Sequence, residues 1–249
     1  MGDRRAWMAA RAAGLPRWVA AGVLLAGPAM AARAGPVEFA DGAFAPEHWT
    51  QFRYLGGRDA IGGVFNTEQS PEGGAPGPYR LVSHVWTGPG DLIVVHLRQG
   101  AVHDPAVSGA IESVDAWIDA VFSPVVDPFF VMCGPALVQG GRLYILRYYA
   151  TSPNWARLGG GGFTAEDFED FYDPAVHPDF SAAGPPVQLG IFTSNGIHCA
   201  CGRSTSVGID NWFFRLHTAG GECRADLTGD GLIDFTDYLE FLNLYEAGC

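Results

Sequence analysis

The stretch YRLVSHVWTGPGDLIVVHLRQG, residues 79–100, contains two apolar runs that are separated by Gly88, Pro89 and Gly90. Apolar and polar residues alternate in the first run, as they do in a strand with one buried face. The interruption is typical of a turn, so the sequence predicts two antiparallel strands joined as a hairpin. The residues then expected on one sheet face are Val82, His84, Trp86, Leu92, Val94 and His96. We interpret its two histidines as core side chains rather than as a site.

Short apolar runs with turn residues between them continue through most of the chain. The sequence predicts further strands at residues 62–69, 111–122, 128–137, 141–151, 186–195 and 207–218. One short helix is expected at TAEDFEDFY, with Thr164 as its N-cap and acidic residues in its first turn. Many short strands and almost no helical periodicity predict an all-β fold, a β-sandwich or jelly roll.

The N-terminal segment, residues 1–34, has the pattern of a secretory signal peptide. Four arginines precede an apolar run from Trp18 to Ala32, and two small-x-small cleavage candidates, AMA and ARA, follow within 29–34. The run is short and interrupted by glycine and proline, which argues against the alternative of an N-terminal membrane anchor. The chain is therefore expected to be secreted, extracellular or at the cell surface, with no stable membrane span once this segment is removed.

The charge of the chain is strongly acidic. Its formal net charge is −12, and all 15 cationic residues are arginines. Without residues 1–34, ten cationic and 26 acidic side chains remain, which gives a net charge of −16. Such a surface repels phosphate backbones, so nucleic acid is not an expected partner. Acidic extracellular proteins commonly use part of this charge to bind calcium.

Five cysteines follow the leader, at positions 133, 199, 201, 223 and 249. In an oxidising compartment they predict disulfides. We expect Cys223 to pair with Cys249, because these two bracket the acidic C-terminal segment, and Cys133 to pair with either Cys199 or Cys201. An alternative for HCAC, residues 198–201, is a metal site, but it offers only three soft ligands.

Two motifs frame the predicted sandwich. FADGAFAPEHWT, residues 39–50, opens it, and VGIDNWFFRLH, residues 207–217, closes it. With SVDAWIDA, NWARL and FTAEDF between them, the segment 35–220 resembles the laminin-G-like or concanavalin-A-like jelly-roll domains of secreted bacterial proteins. The resemblance implies that the first and last strands pair and that the domain binds carbohydrate or matrix.

Catalytic motifs are not recognisable in this sequence. In IESVDAWID, Glu112 lies on the opposite strand face from Asp115 and Asp119, so these acids do not form the paired carboxylates of a glycosidase. Of the tryptophans, Trp155 in a glycine-rich stretch is the candidate for sugar stacking. Carbohydrate or matrix binding is the preferred function. The alternatives are a polysaccharide-degrading hydrolase or lyase on the jelly roll, and a structural surface protein without a glycan ligand.

The C-terminal stretch ADLTGDGLIDFTDYLEFLNLYEAGC, residues 225–249, alternates oxygen-bearing and other residues before an amphipathic run. This spacing is typical of an EF-hand-type Ca²⁺ loop, with Gly231 at the sharp turn. The predicted ligands are Asp226, Thr228, Asp230, the backbone carbonyl of Leu232, Asp234 and Asp237. An exiting helix follows, on which Phe235, Tyr238, Leu239, Leu242 and Tyr245 share one face. The alternative is an acidic helix without metal.

Residues 221–249 resemble a single dockerin repeat, in a C-terminal variant that ends in Gly-Cys. The resemblance implies calcium binding and docking to a cohesin-like or cell-surface protein in polysaccharide-degrading assemblies. Two features depart from the family pattern: dockerins have two repeats and this chain has one, and Phe235 and Thr236 occupy the positions usually given to cohesin contact. A Cys223–Cys249 disulfide would close the single unit by linking loop entry to helix exit.

Overall fold

The computed structural model describes residues 36–56, 63–123, 130–198, 202–219, 227–228 and 234–246. Its strands run from residue 37 to residue 219 and its longer helix follows them. The strands are β1 Val37–Asp41, β2 Trp49–Arg53, β3 Val64–Gly74, β4 Gly77–Trp86, β5 Gly90–His103, β6 Ala110–Ser123, β7 Val131–Gln139, β8 Arg142–Ile145, β9 Tyr148–Ala150, β10 Ala156–Phe163, β11 Glu169–Asp170, β12 Val187–Ile197 and β13 Arg203–Ala219. The helices are α1 Pro105–Ser108 and α2 Phe235–Glu246. Two 3-10 turns lie at Pro46–His48 and Ala165–Asp167.

These strands form two antiparallel sheets. The six-stranded sheet has the order β10-β6-β13-β4-β3, with β1 also paired to β13. The seven-stranded sheet has the order β11-β8-β7-β12-β5-β2, with β9 also paired to β7. Alternate residues of both sheets, such as Val114, Phe214, Leu137 and Leu189, are buried in one common cluster. The predicted all-β sandwich of jelly-roll type is therefore confirmed, and the C-terminal helix is present.

The first and last strands of the sandwich pair as expected. β1 lies antiparallel to β13 from Val37 opposite Leu216 to Asp41 opposite Trp212. At the end of β1 the Asp41 carboxylate accepts hydrogen bonds from the backbone N–H groups of Ala43 and Phe44, at 2.9 and 2.8 Å. It also accepts bonds from the Trp49 indole and from Arg98. One buried carboxylate thus connects the opening turn to both sheets.

The hairpin predicted at residues 79–100 is wrong. β4 pairs with β3 and β13, whereas β5 pairs with β2 and β12, so the turn at residues 87–89 crosses from one sheet to the other. Alternation marks which face of a strand is buried, but it does not identify the neighbouring strand. The six residues predicted to share one sheet face are nevertheless buried. Those of β4 and those of β5 belong to different sheets and face the interior.

The two histidines of this region lie in the interior with a buried arginine. Nε of Arg80 donates to Nδ1 of His96 at 3.2 Å, and Nε2 of His84 lies 3.0 Å from the Thr193 hydroxyl. Because arginine always donates, the neutral His96 ring carries its proton on Nε2. Burial lowers the pKa of His84 to about 3. Burial, followed by the charges of Arg80 and His84, lowers the pKa of His96 well below its usual value.

The short helix expected after Thr164 is one 3-10 turn long. The backbone N–H and the hydroxyl of Thr164 both donate to the Asp167 carboxylate, so the predicted start is present. The chain then turns away because Phe168 is fully buried and Glu169–Asp170 pairs with β8. We call residues 168–173 the cover segment, because its Phe171 and Tyr172 pack on the outer face of the seven-stranded sheet.

Cys133 is a free thiol, so its predicted disulfide to Cys199 or Cys201 is not formed. Its side chain is fully buried in the core, and burial raises its pKa to about 12. On β7 it lies opposite Thr193, on the strand face that points into the sandwich. Cys199, Cys201, Cys223 and Cys249 are outside the described residues.

Helix α2 follows the sandwich and has the helical periodicity predicted for it. Several of its apolar side chains are exposed, among them Phe235, Tyr238, Leu239, Phe241 and Leu242. In the part of the chain that is described, no helix is both long and apolar enough to cross a bilayer. The predicted signal segment, residues 1–34, lies outside that part.

Candidate functional site

A pocket of about 470 Å³ opens on the outer face of the seven-stranded sheet. Three aromatic rings line it, together with charged, amide, hydroxyl and thioether groups. The lining residues are Asp91, Phe130, Met132, Arg147, Tyr149, Phe171, Ser194, Asn195, Gly196 and His198. Its volume is in the range of pockets that bind small molecules.

Strand register explains why these residues meet. Tyr149 lies opposite Met132, and Met132 lies opposite Ser194. Two residues further along β12, Gly196 lies opposite Asp91. Because successive side chains of a strand alternate in direction, these positions share the outer face. The pocket thus crosses β9, β7, β12 and β5, a width of about 14 Å at the usual spacing between strands.

Two exposed rings form the aromatic end of the pocket. Phe130 and Tyr149 are 51% and 46% exposed, and their rings are nearly perpendicular, with centroids 4.9 Å apart. The Asn195 amide donates to the Phe130 carbonyl at 3.1 Å, which holds this residue beside the start of β7. A ligand that enters the corner between the rings therefore meets one ring face and one ring edge.

The third ring, Phe171, is positioned by the cover segment. Its backbone N–H donates to the Leu143 carbonyl at 2.9 Å. Before it, the buried Asp170 carboxylate accepts from the N–H groups of Tyr172 and Asp173, both at 3.0 Å. The ring itself packs edge to face on Phe192, with centroids 6.1 Å apart. These contacts fix the wall of the pocket on the sheet.

Arg147 lies beside Phe171 and Glu169 of the cover segment and contacts Met132 of β7. Its guanidinium carbon is 5.8 Å from the centroid of the Phe171 ring. Nη1 contacts the Met132 sulfur at 3.2 Å, and Nε is 3.7 Å from a Glu169 carboxylate oxygen. Sulfur is a weak acceptor, and 3.7 Å is longer than a hydrogen bond. The guanidinium therefore has close neighbours, but its N–H groups form no strong hydrogen bond to them.

The opposite end of the pocket is polar. Asp91 is exposed at the start of β5, and Ser194, Asn195 and His198 belong to the end of β12 or follow it. A Cβ on Gly196 would lie only 2.1 Å from the Asp91 carboxylate, so glycine is needed there for this arrangement. Among the described lining residues Asp91 is the one carboxylate. This carboxylate lies beside amide and hydroxyl groups of β12 at the same end of the pocket.

The structure places Trp155 on the other sheet. It is partly buried, its indole donates to the Gly73 carbonyl at 3.0 Å, and its ring packs edge to face on Tyr79. Trp155 therefore lies away from the pocket described above. Sugar stacking by this residue stays a prediction.

Three predicted calcium ligands are described, and they lie together. Both carboxylate oxygens of Asp237 accept hydrogen bonds, one from the backbone N–H and hydroxyl of Thr228 and the other from the N–H of Asp234. These hydrogen bonds hold the pKa of Asp237 below its usual value, and the bond from the Asp234 N–H has the largest effect. Asp226, Asp230, Leu232 and both cysteines of the predicted disulfide, Cys223 and Cys249, are outside the described residues.

Sequence reasoning did not identify the residues of the pocket. Tyr149 falls within the strand predicted at residues 141–151, and Phe171 falls within the short helix expected at TAEDFEDFY. Phe130 precedes β7 and Arg147 precedes β9, at opposite ends of the antiparallel pair that these two strands form, so their shared place in the pocket depends on this pairing and not on a local signal. Alternation along RYYA, residues 147–150, is the one pattern that could have indicated an outward Tyr149.

No protein-family model matches the chain, and no curated protein matches it. Among solved structures it is similar to the family 11 carbohydrate-binding module of the cellulosomal cellulase Lic26A-Cel5E of Clostridium thermocellum. The identity is 14% and the TM-score 0.45, over 75% of this chain and 97% of the module. TmCBM27, a carbohydrate-binding module that recognises mannan, has 12% identity and a TM-score of 0.35, over 75% of this chain and 99% of that one. At these low values, the fold assignment rests on the strand order and register given above.

Proposed function

We propose that this chain is a secreted carbohydrate-binding protein and that the pocket on the seven-stranded sheet holds a segment of a polysaccharide. The observation that carries the proposal is the corner formed by Phe130 and Tyr149, two exposed rings beside hydrogen-bonding side chains. Aromatic faces pack on the apolar C–H faces of sugar rings, while amide, hydroxyl and charged groups bind the sugar hydroxyls. The pocket offers both kinds of group within one opening.

The exposure of these rings supports a binding role. Large apolar side chains that remain half exposed in a group, with polar residues around them, commonly mark a binding surface. The cover segment closes most of the same sheet face with Phe171 and Tyr172, and the Phe130–Tyr149 corner remains open at one end. The rigid strands beneath the pocket would limit the entropy lost when a ligand binds.

We also propose that residues 1–34 direct export and that the C-terminal segment binds Ca²⁺. The oxygen-rich ligand set suits a hard cation. The proximity of Thr228, Asp234 and Asp237 supports this proposal. The docking of this segment to a cohesin-like or cell-surface protein stays a prediction.

Polysaccharide retention tests the binding proposal. The protein is applied to a panel of insoluble polysaccharides, and bound protein and released reducing sugar are both measured. We expect retention without release, and we expect F130A and Y149A to lower affinity about tenfold or more, since burying a side chain the size of Phe is worth about 1.5–3 kcal/mol. The control is F235A, which removes an exposed ring of α2 outside the pocket.

The other outcomes decide between the alternatives. Release of reducing sugar would replace binding with hydrolysis or lysis. Retention that F130A and Y149A leave unchanged would move the site away from this pocket. No retention on any polysaccharide would leave a structural surface protein.

A further inference from the structure

The guanidinium of Arg147 is held in place but weakly bonded. Its carbon lies over the Phe171 ring, 5.8 Å from the centroid, and the Arg147 side chain remains 32% exposed. Its contacts are the Met132 sulfur at Nη1 and the more distant Glu169 carboxylate at Nε. Among the described residues it makes no hydrogen bond to an oxygen atom. A planar fork of five donors therefore faces the pocket with most of its capacity unused.

An oriented guanidinium is suited to a carboxylate. The two oxygens of a carboxylate match two parallel N–H groups, and hydrogen bonds between charged groups are about twice as strong as neutral ones. Holding the guanidinium over a neighbouring ring lowers the entropy that such a contact costs. Sugar hydroxyls can also accept from arginine, but a single hydroxyl does not use the fork.

The net negative charge of the chain opposes an acidic ligand at long range, but the acidic residues nearest the pocket act weakly on Arg147. Glu169 lies on the Nε side of the guanidinium, and an exposed pair at this distance contributes little. Asp91 stands on β5, while Arg147 directly precedes β9, and the strands β12 and β7 lie between these two. The three strand spacings amount to about 14 Å, which exceeds the Debye length of about 8 Å at physiological salt.

We infer that the pocket binds a glycan that carries a carboxylate, a uronate-containing chain, and that Arg147 is the residue that receives this group. The inference rests on the proposed glycan site and specifies its ligand class. The rings of Phe130 and Tyr149 contact the sugar faces, and Arg147 distinguishes an acidic sugar from its neutral counterpart.

Matched oligosaccharides test the inference. Trimers of galacturonate, glucuronate and mannuronate are each compared with their carboxyl-reduced form, which has the same linkage and stereochemistry but no charge. Dissociation constants are measured by calorimetry for the full chain at low and at high salt. We expect at least one acidic trimer to bind about tenfold more tightly than its reduced form. High salt should diminish this difference.

Two substitutions at Arg147 distinguish the effect of the planar guanidinium group from the effect of its positive charge. R147Q should remove the preference for the acidic trimer while binding of the reduced trimer persists. R147K keeps the charge without the planar fork and should retain only part of the preference. The control is R157Q on the other sheet, where Arg157 lies 5.1 Å from the Trp117 centroid and 3.1 Å from Asp119. This control should bind like the unmodified protein.

The results distinguish the two proposals. Reduced trimers that bind as tightly as acidic ones, with binding lost in F130A, would overturn the inference and leave the glycan site in place. A preference that survives in R147Q would overturn the role of Arg147. The absence of binding by all six trimers would overturn the uronate inference, and retention of a neutral polysaccharide by the same protein would show that the glycan site itself stands.

Discussion

At the scale of single residues, His84 and His96 carry buried imidazole rings whose protons are restricted by their neighbours. Arg80 donates to one nitrogen of His96, so protonation of that nitrogen would break the bond and place two positive charges side by side. His84 is held against Thr193, and its other ring nitrogen has no hydrogen-bond partner among the described residues. Both rings are therefore stable only when neutral.

The resulting pH dependence has a definite sign. A histidine has a pKa of about 6.5 in the unfolded chain, while burial lowers that of His84 to about 3 in the fold. The contribution of each neutral histidine to the free energy of unfolding is thus fully present above about pH 6.5. It declines as the pH falls towards 3, by about 1.4 kcal/mol per pH unit for each histidine. Between pH 7 and pH 5 we expect the titration of His84 alone to lower the free energy of unfolding by about 2 kcal/mol.

Urea unfolding at pH 7 and pH 5 measures this loss. The variant H84Q can keep a hydrogen bond to Thr193 but does not titrate, so its free energy of unfolding should change less over this range. Carboxylates contribute little there, because their unfolded pKa values lie near 4. An equal loss in H84Q and in the unmodified protein would contradict the assigned role of His84.

At the scale of elements, the cover segment connects stability to binding. Asp170 is 3% exposed, and its carboxylate holds the backbone that follows Phe171 through the N–H groups of Tyr172 and Asp173. Its contact with Arg142 is longer, at 3.4 Å, and that arginine is mostly exposed. The carboxylate therefore acts mainly on the backbone of the segment.

Substitution of Asp170 should affect both properties. D170A leaves two N–H groups without their acceptor, so we expect a loss of about 1–3 kcal/mol in the free energy of unfolding and weaker glycan binding. D170N keeps one acceptor oxygen and should lose less. R142Q removes only the exposed ion pair and should cost less than about 1 kcal/mol. If D170A retained full glycan affinity, the segment would not position Phe171 for binding.

The same elements show how far the sequence predicts this fold. Apolar runs predicted most of the strands, including β4 and β5, because they report burial directly, but they gave no signal for β10 in its glycine-rich stretch. The local pattern could not show that these two strands belong to different sheets, since one partner of each, β13 for β4 and β12 for β5, lies far along the chain. The pocket was missed for the same reason: long-range register brings Tyr149, Met132 and Ser194 together, and no local pattern encodes register.

At the scale of the whole molecule, the acidic charge is concentrated where calcium is proposed. Asp226, Asp230, Asp234 and Asp237 lie within twelve residues, and four carboxylates so close repel one another. A bound cation offsets this repulsion and stabilises the folded form in proportion to the logarithm of its concentration over its dissociation constant. The sandwich has its own buried core, so we expect it to fold without this ion.

Calcium should therefore protect the C-terminal segment selectively. We expect proteolysis between residues 221 and 249 to slow several-fold when Ca²⁺ replaces a chelator, since ligand binding lowers the population of the open form. The substitutions D226N and D230N should abolish this protection, because each removes a charged ligand. E240Q, which removes one charge from α2 outside the ligand set, is the matched control.

A further measurement tests whether the sandwich and the C-terminal segment unfold independently of each other. Urea unfolding of the sandwich, followed through its buried Trp212, should have the same midpoint with calcium and with chelator, since the proposed ligands all lie beyond β13. Equal proteolysis in both conditions would reject calcium binding by the tail and favour the acidic helix without metal. Protection that persists in D226N and D230N would place the ion elsewhere. A calcium-dependent midpoint that D226N does not alter would place a calcium site within the sandwich.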